Sequence, residues 1–166
     1  MTFDASKASG LTQINLDDDN TGRTITLSKL EDATTVQMTS GNAATVFVLD
    51  QANKSGADNS ISIEVGSVTA GTNVDIADVE TINLKNETAN SSISLDGLAM
   101  ATSGATNKLV VTGDKALTVS AHHIDTTVID ASGMSTGGSY IMTGRSDATT
   151  AITFTGSIGN DTFIMN

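Results

Sequence analysis

Residues able to do chemistry are few in this chain, and the clearest of them are oxygen donors. Gly156-Ser157-Ile158-Gly159-Asn160-Asp161-Thr162-Phe163-Ile164 spaces two glycines ahead of an aspartate and a large apolar residue. Such glycines let a turn bend until its carbonyls face inward, and Asp161 adds a carboxylate. Hard oxygen ligands of that kind suit Ca²⁺. The expected donors are Asp161 and the backbone of Gly156 and Ile158, with Phe163 returning to the core in the next strand. A second run, Asp17-Asp18-Asp19-Asn20-Thr21-Gly22, has the D-x-D-x-T-G opening of a calcium loop, which makes Asp17 and Asp19 metal candidates. The closing glutamate of such a loop is missing, because Ser28 stands at its position. The competing reading of both segments is an ordinary solvated turn rich in Gly, Asn and Asp.

Other chemistry is sparsely represented. His122 and His123 are neighbours near a strand end, and successive strand residues face opposite ways, so the pair does not chelate one ion without a bend. Asp125 is close enough in sequence to hydrogen-bond His123. Serine is too common for a Ser/His/Asp triplet to carry information, and no G-x-S-x-G elbow occurs. Arg145 near Asp147 is the one candidate for a lyase or hydrolase groove. A single Tyr and no Trp leave little for stacking on sugar rings. No enzyme is expected.

The elements that must position these residues are legible between Leu11 and Asp50. Apolar pairs return there at a fixed interval of eleven: Ile14/Leu16, Ile25/Leu27, Val36/Met38 and Phe47/Leu49. Alternation within each pair has period two, the signature of a strand. Short strands at a constant interval, separated by polar turns, predict stacked coils of about 22 residues with two strands each. Further pairs follow at Ile61/Ile63, Val74/Ile76, Ile82/Leu84, Ile93/Leu95, Leu109/Val111 and Leu117/Val119. Val128, Tyr140/Met142, Ile152/Phe154 and Phe163/Met165 complete the set. Polar segments at Gln51–Ser60 and Ala99–Asn107 read as protruding loops. The fold expected is a single all-β domain over residues 1–166, a right-handed parallel β-solenoid. An antiparallel β-sandwich is the alternative, although Asn-Gly is absent and Asp96-Gly97 is the lone Asp-Gly turn.

Composition narrows the partners. Nineteen acidic against eight basic residues give a formal charge of −11, with only Arg23 and Arg145 as arginines. Binding a nucleic-acid backbone or an anionic lipid surface needs clustered Lys and Arg, and none is present. No apolar run approaches the roughly 18–20 residues of a membrane span. Cysteine is absent, which excludes disulfides and thiolate sites. Proline is absent as well, in keeping with long ladders that use every N–H. Thr2-Phe3-Asp4 after Met1 is no secretory leader, so the chain is expected to be a piece of something longer.

The terminal G-S-I-G-N-D-T-F resembles the calcium-binding nonapeptide G-G-x-G-x-D of repeats-in-toxin proteins, with Ser157 in place of the second glycine. The phrases D-V-E-T-I-N-L (Asp78 to Leu84) and D-A-S-G-M (Asp130 to Met134), set among Ser/Thr/Ala/Gly-rich strands, resemble bacterial surface-layer proteins of that class. The resemblance implies a calcium-stabilised β-solenoid exported by type I secretion. It would self-assemble into a lattice on the cell surface, in contact with itself through lateral loops and with cell-surface polysaccharide. A stalk or passenger module of an adhesin is the alternative.

Overall fold

The computed structural model describes residues 1–17, 23–32, 34–40, 46–51, 59–68, 72–77, 79–95, 107–122, 126–143 and 151–164. Fifteen strands run through them: β1 (Thr2–Asp4), β2 (Gln13–Asp17), β3 (Thr24–Leu30), β4 (Thr35–Ser40), β5 (Val46–Gln51), β6 (Ser60–Val65), β7 (Thr72–Ala77), β8 (Thr81–Asn86), β9 (Ser91–Leu95), β10 (Lys108–Gly113), β11 (Leu117–His122), β12 (Val128–Met134), β13 (Tyr140–Thr143), β14 (Thr153–Thr155) and β15 (Thr162–Ile164). The one helical element among the described residues is a 3-10 turn at Ala5–Lys7. Every apolar pair read from the sequence places at least one member in a strand. Only β1 was not anticipated, because Thr2-Phe3-Asp4 is too short to show a period.

Odd-numbered strands form an eight-stranded sheet in the order β1-β3-β5-β7-β9-β11-β13-β15. Even-numbered strands form a seven-stranded sheet running from β14 at one edge to β2 at the other. Successive strands therefore alternate between the sheets, and each coil lays one strand on either side. All pairings between described strands are parallel. The chain is a parallel β-solenoid, and the antiparallel sandwich is excluded.

The register explains the interval of eleven. Ile14 lies over Val36 and Leu16 over Met38, while Ile25 lies over Phe47 and Leu27 over Leu49. Eleven residues carry the chain to the other sheet, and twenty-two bring it back one coil higher. Farther on, Ile61 pairs with Ile82 and Ile82 with Leu109, so aliphatics continue to sit on aliphatics. The interior alternates faithfully: β6 and β10 both bury every second residue, and Ile82, Leu84, Leu109 and Val111 are sealed from solvent. Aromatic rings would strain so narrow a stack, and among the residues whose burial is described the apolar core is aliphatic except for Tyr140.

Longer steps mark the places where the period was lost. Thr35 pairs with Ser62 and Thr81 with Lys108, each a step of 27 positions. The surplus residues fall between β5 and β6 and between β9 and β10, so both insertions join an odd strand to the following even one. Residues 52–58 and 96–106 lie outside the described residues. The boundaries expected for these loops need correction, because Ser60 already begins β6 and Asn107 is buried. Both residues are anchored by the backbone ladder that resumes beside them.

The sealed columns should be far more sensitive than the outer faces. Leu84→Ala is expected to cost about 2–5 kcal/mol, whereas Ser62→Ala on the outward face should stay within about 0.5 kcal/mol. Chemical denaturation followed by circular dichroism measures both, and equal losses would contradict the assigned register.

Candidate functional site

The turn between β14 and β15 is built around one carboxylate. Asp161 Oδ1 accepts hydrogen bonds from Ser157 Oγ at 2.7 Å and from the Tyr140 backbone N–H at 3.0 Å. Its Oδ2 accepts the Ser157 N–H at 2.8 Å, and Ser157 Oγ in turn accepts the Gly159 N–H at 3.0 Å. Tyr140 opens β13 on the preceding coil, so Asp161 both closes its own turn and ties it to the coil before. A carboxylate offers about four acceptor positions, and three are filled here by protein donors.

The two glycines serve close packing. A Cβ on Gly156 would stand 2.7 Å from Asp161 Oδ2, and a Cβ on Gly159 would stand 2.0 Å from the Gly138 carbonyl oxygen. Any side chain at Gly156 would displace the carboxylate, and one at Gly159 would separate the corner from the coil before. Ile158 points outward and is 70% exposed. Phe163 does return to the inner face, in register with Met142, but it lies on the last described coil and stays 41% exposed. It packs edge-on against Phe154 with ring centroids 4.0 Å apart.

Asp17, the other metal candidate that the structure describes, ends β2 and is exposed. Asp18 and Asp19 lie outside the described residues. Asp17 and Asp161 occupy the same corner of the solenoid, where even strands lead to odd ones. However, β2 and β14 are opposite edges of the seven-stranded sheet. Six strand spacings of about 4.8 Å separate them by roughly 29 Å, so the two segments cannot share an ion. Among the described residues no three His, Cys, Asp or Glu side chains converge on a point where a metal would sit.

His122 ends β11 with its ring turned into the interior, where Nε2 lies 2.7 Å from the Tyr140 hydroxyl. Both residues are buried, and burial pushes the Tyr140 phenol well above its ordinary pKa, so the phenol keeps its proton. The two side chains share one buried hydrogen bond. This places His122 as a buried structural residue. His123, Asp125, Arg145 and Asp147 lie outside the described residues.

Phe3-Asp4-Ala5-Ser6-Lys7 and Ile129-Asp130-Ala131-Ser132-Gly133 share a local device. Asp4 accepts from the N–H and hydroxyl of Ser6 at 3.0 and 2.7 Å, and Asp130 accepts from those of Ser132 at 3.2 and 2.6 Å. A lysine from the neighbouring coil completes each, Lys29 on Asp4 at 3.3 Å and Lys108 on Asp130 at 3.0 Å. The Ser6 hydroxyl, with Lys29 adding to it, lowers the Asp4 pKa. The Ser132 hydroxyl and Lys108 do the same for Asp130. The surroundings differ: Asp4 leads into the 3-10 turn, whereas Asp130 sits at a register shift inside β12.

Composition gave no hint of a polar column at the opposite corner. Thr34, Asn59, Glu80, Asn107 and Thr126 are all buried, each just before an even strand. Glu80 Oε2 accepts the Asn59 N–H at 2.7 Å, the Asn59 carbonyl receives the N–H groups of Glu80 and Thr81, and the Asn107 carbonyl receives those of Thr127 and Val128. The residue types vary from coil to coil, so no motif announces the column. Near the other corner, a depression of about 460 Å³ is lined by Glu87, Thr112, Gly113, Asp114, Gly133 and Ser135. Its carboxylates are already paired with adjacent lysines, Lys85 on Glu87 and Lys115 on Asp114. It offers polar contacts for hydroxyl-bearing ligands.

Two outcomes are expected. Tyr140→Phe leaves His122 Nε2 facing a ring edge and should cost about 1–3 kcal/mol in a thermal melt; an unchanged melting temperature would show the bond to be dispensable. Asp130, its pKa lowered on folding, stabilises the fold fully above the unfolded carboxylate value of about 3.9. That contribution disappears as pH falls through the lower folded value. Asp130→Asn should therefore reduce stability at neutral pH and flatten the loss seen in acid, which a pH series of urea midpoints would register.

Among the described residues no helix is long and apolar enough to cross a membrane. Comparisons with protein-family models, with curated proteins and with solved structures find no match for this chain, so its function must be argued from the solenoid and its corners.

Proposed function

We propose that this chain is a structural module of a bacterial cell surface, a β-solenoid that associates with further copies into an extended layer. The observation that carries the proposal is the combination of a sealed aliphatic stack with outer faces of mainly polar side chains. Thr35, Ser62, Asn83, Val110, Asp130 and Thr155 follow one another in register across one outer face, from β4 to β14. Such a surface repeats from coil to coil and can serve as the face on which copies associate. The resemblance of the terminal turn and of the D-A-S-G-M phrase to surface-layer proteins supports the same assignment. Export to an extracellular location belongs to it, as does the absence of an enzymatic role.

Calcium enters the proposal as a neutralising ion. With a formal charge of −11, copies brought side by side repel one another, and a divalent cation both screens and bridges them. Cell-surface polysaccharide is a second proposed partner, suited to the hydroxyl-rich faces. Light scattering and electron microscopy with and without added calcium test the assignment. Sheets or ordered arrays that form with calcium and dissolve in EGTA are the expected outcome. A protein that stays monomeric at all calcium levels, including in the presence of cell-wall polysaccharide, would overturn it.

A further inference from the structure

The terminal turn matches a calcium motif in four of its five defining positions yet differs in what surrounds its carboxylate. Calcium in a turn of this kind is held by oxygen atoms, carbonyl and carboxylate, with the cation as the common positive partner. Here the groups aimed at Asp161 are donors. Ser157 contributes both its N–H and its hydroxyl, and Tyr140 of the preceding coil contributes its N–H. The Ser157 hydroxyl is also the acceptor for Gly159 N–H, which places it at the centre of the turn. Ser157 is the residue that departs from the glycine of the motif.

We propose that the turn from Gly156 to Asp161 closes without a cation, the Ser157 hydroxyl and amide supplying the positive partners that calcium would otherwise provide. A carboxylate receiving three hydrogen bonds has most of its acceptor positions already occupied. Ligating calcium there would require those donors to be turned away, and the Ser157 and Tyr140 amides are fixed by the backbone of the turn and of β13. The close seat of Asp161 Oδ2 over Gly156 leaves no room on that side. Glycine at 156 is thus retained for the space its carboxylate neighbour needs, and glycine at 159 for the approach of the preceding corner. The proposal is independent of surface assembly, in which calcium acts between copies on exposed carboxylates.

Thermal melts of the whole chain, with calcium chloride alone or with EGTA, separate the two possibilities. Wild type, Asp161→Asn and Ser157→Gly are compared. Any rise in melting temperature on adding calcium should be the same in wild type and in Asp161→Asn, because it comes from carboxylates elsewhere. In EGTA both variants should melt lower than wild type, by about 2–8 °C, since each removes donors or acceptors from the closed network. A calcium-dependent rise in wild type that Asp161→Asn abolishes would overturn the proposal. So would a Ser157→Gly chain that melts no lower than wild type in EGTA. Should Asp161→Asn fail to fold, the Ser157→Gly melt in EGTA still decides.

Discussion

Parallel hydrogen bonding from coil to coil is the constraint on which the rest of this molecule depends. Each strand must hand its N–H and C=O groups to the strands above and below, because buried backbone polar groups left unmet are costly. Once that ladder is in place, residues of successive coils are forced into vertical columns, and a column is stable only if its members are alike in size and polarity. The aliphatic interior follows directly. Ile82 beneath Leu109, and Val111 in register with Leu84, are products of the ladder before they are hydrophobic contacts. The absence of proline satisfies the same demand, since each proline would remove one rung's donor.

The two corners meet that demand by different means. Where odd strands lead to even ones, Thr34, Asn59, Glu80, Asn107 and Thr126 are buried, and the carbonyls of Asn59 and Asn107 each receive two N–H groups from the next coil. Where even strands lead to odd ones, backbone packs on backbone. Gly113, with φ of 118°, leaves room for the Asn86 carbonyl, Gly138 approaches the Gly113 carbonyl, and Gly159 approaches that of Gly138. Only glycine adopts the first conformation freely, and only glycine permits the contacts of the last. The Asp161 carboxylate belongs to this glycine side, where the coil before presents the Tyr140 N–H to it.

Much of this architecture was legible in the sequence because the first coils keep an undisturbed period. Ile14, Ile25, Val36 and Phe47 alone imply two alternating sheets and a coil of 22 residues. Beyond Gln51 the insertions break the arithmetic while leaving period-two pairs intact, so strands remained visible and their stacking partners did not. The candidate site was legible to a lesser degree. Gly156 and Asp161 announce a tight acidic turn, but the Tyr140 donor lies 21 positions away and carries no motif. His122 and Tyr140 meet across 18 positions for the same reason, through the vertical neighbourhood of β11 and β13. The buried polar corner was invisible because Thr, Asn and Glu stand there with unlike side chains and no repeated motif.

One consequence of the strand order has a kinetic character. Among the described residues every strand pairs only with the strands immediately before and after it in its sheet, so the ladder joins neighbouring coils. Cooperativity in such a molecule is a nearest-neighbour affair, and growth of the fold can start at any well-formed pair of coils and zip outward. The pair formed by β6 and β8, with six consecutive residues in unbroken register, is well suited to serve as that nucleus. Fraying would begin instead at the three-residue strands β1, β14 and β15, leaving the interior wound while the rims open and reseal.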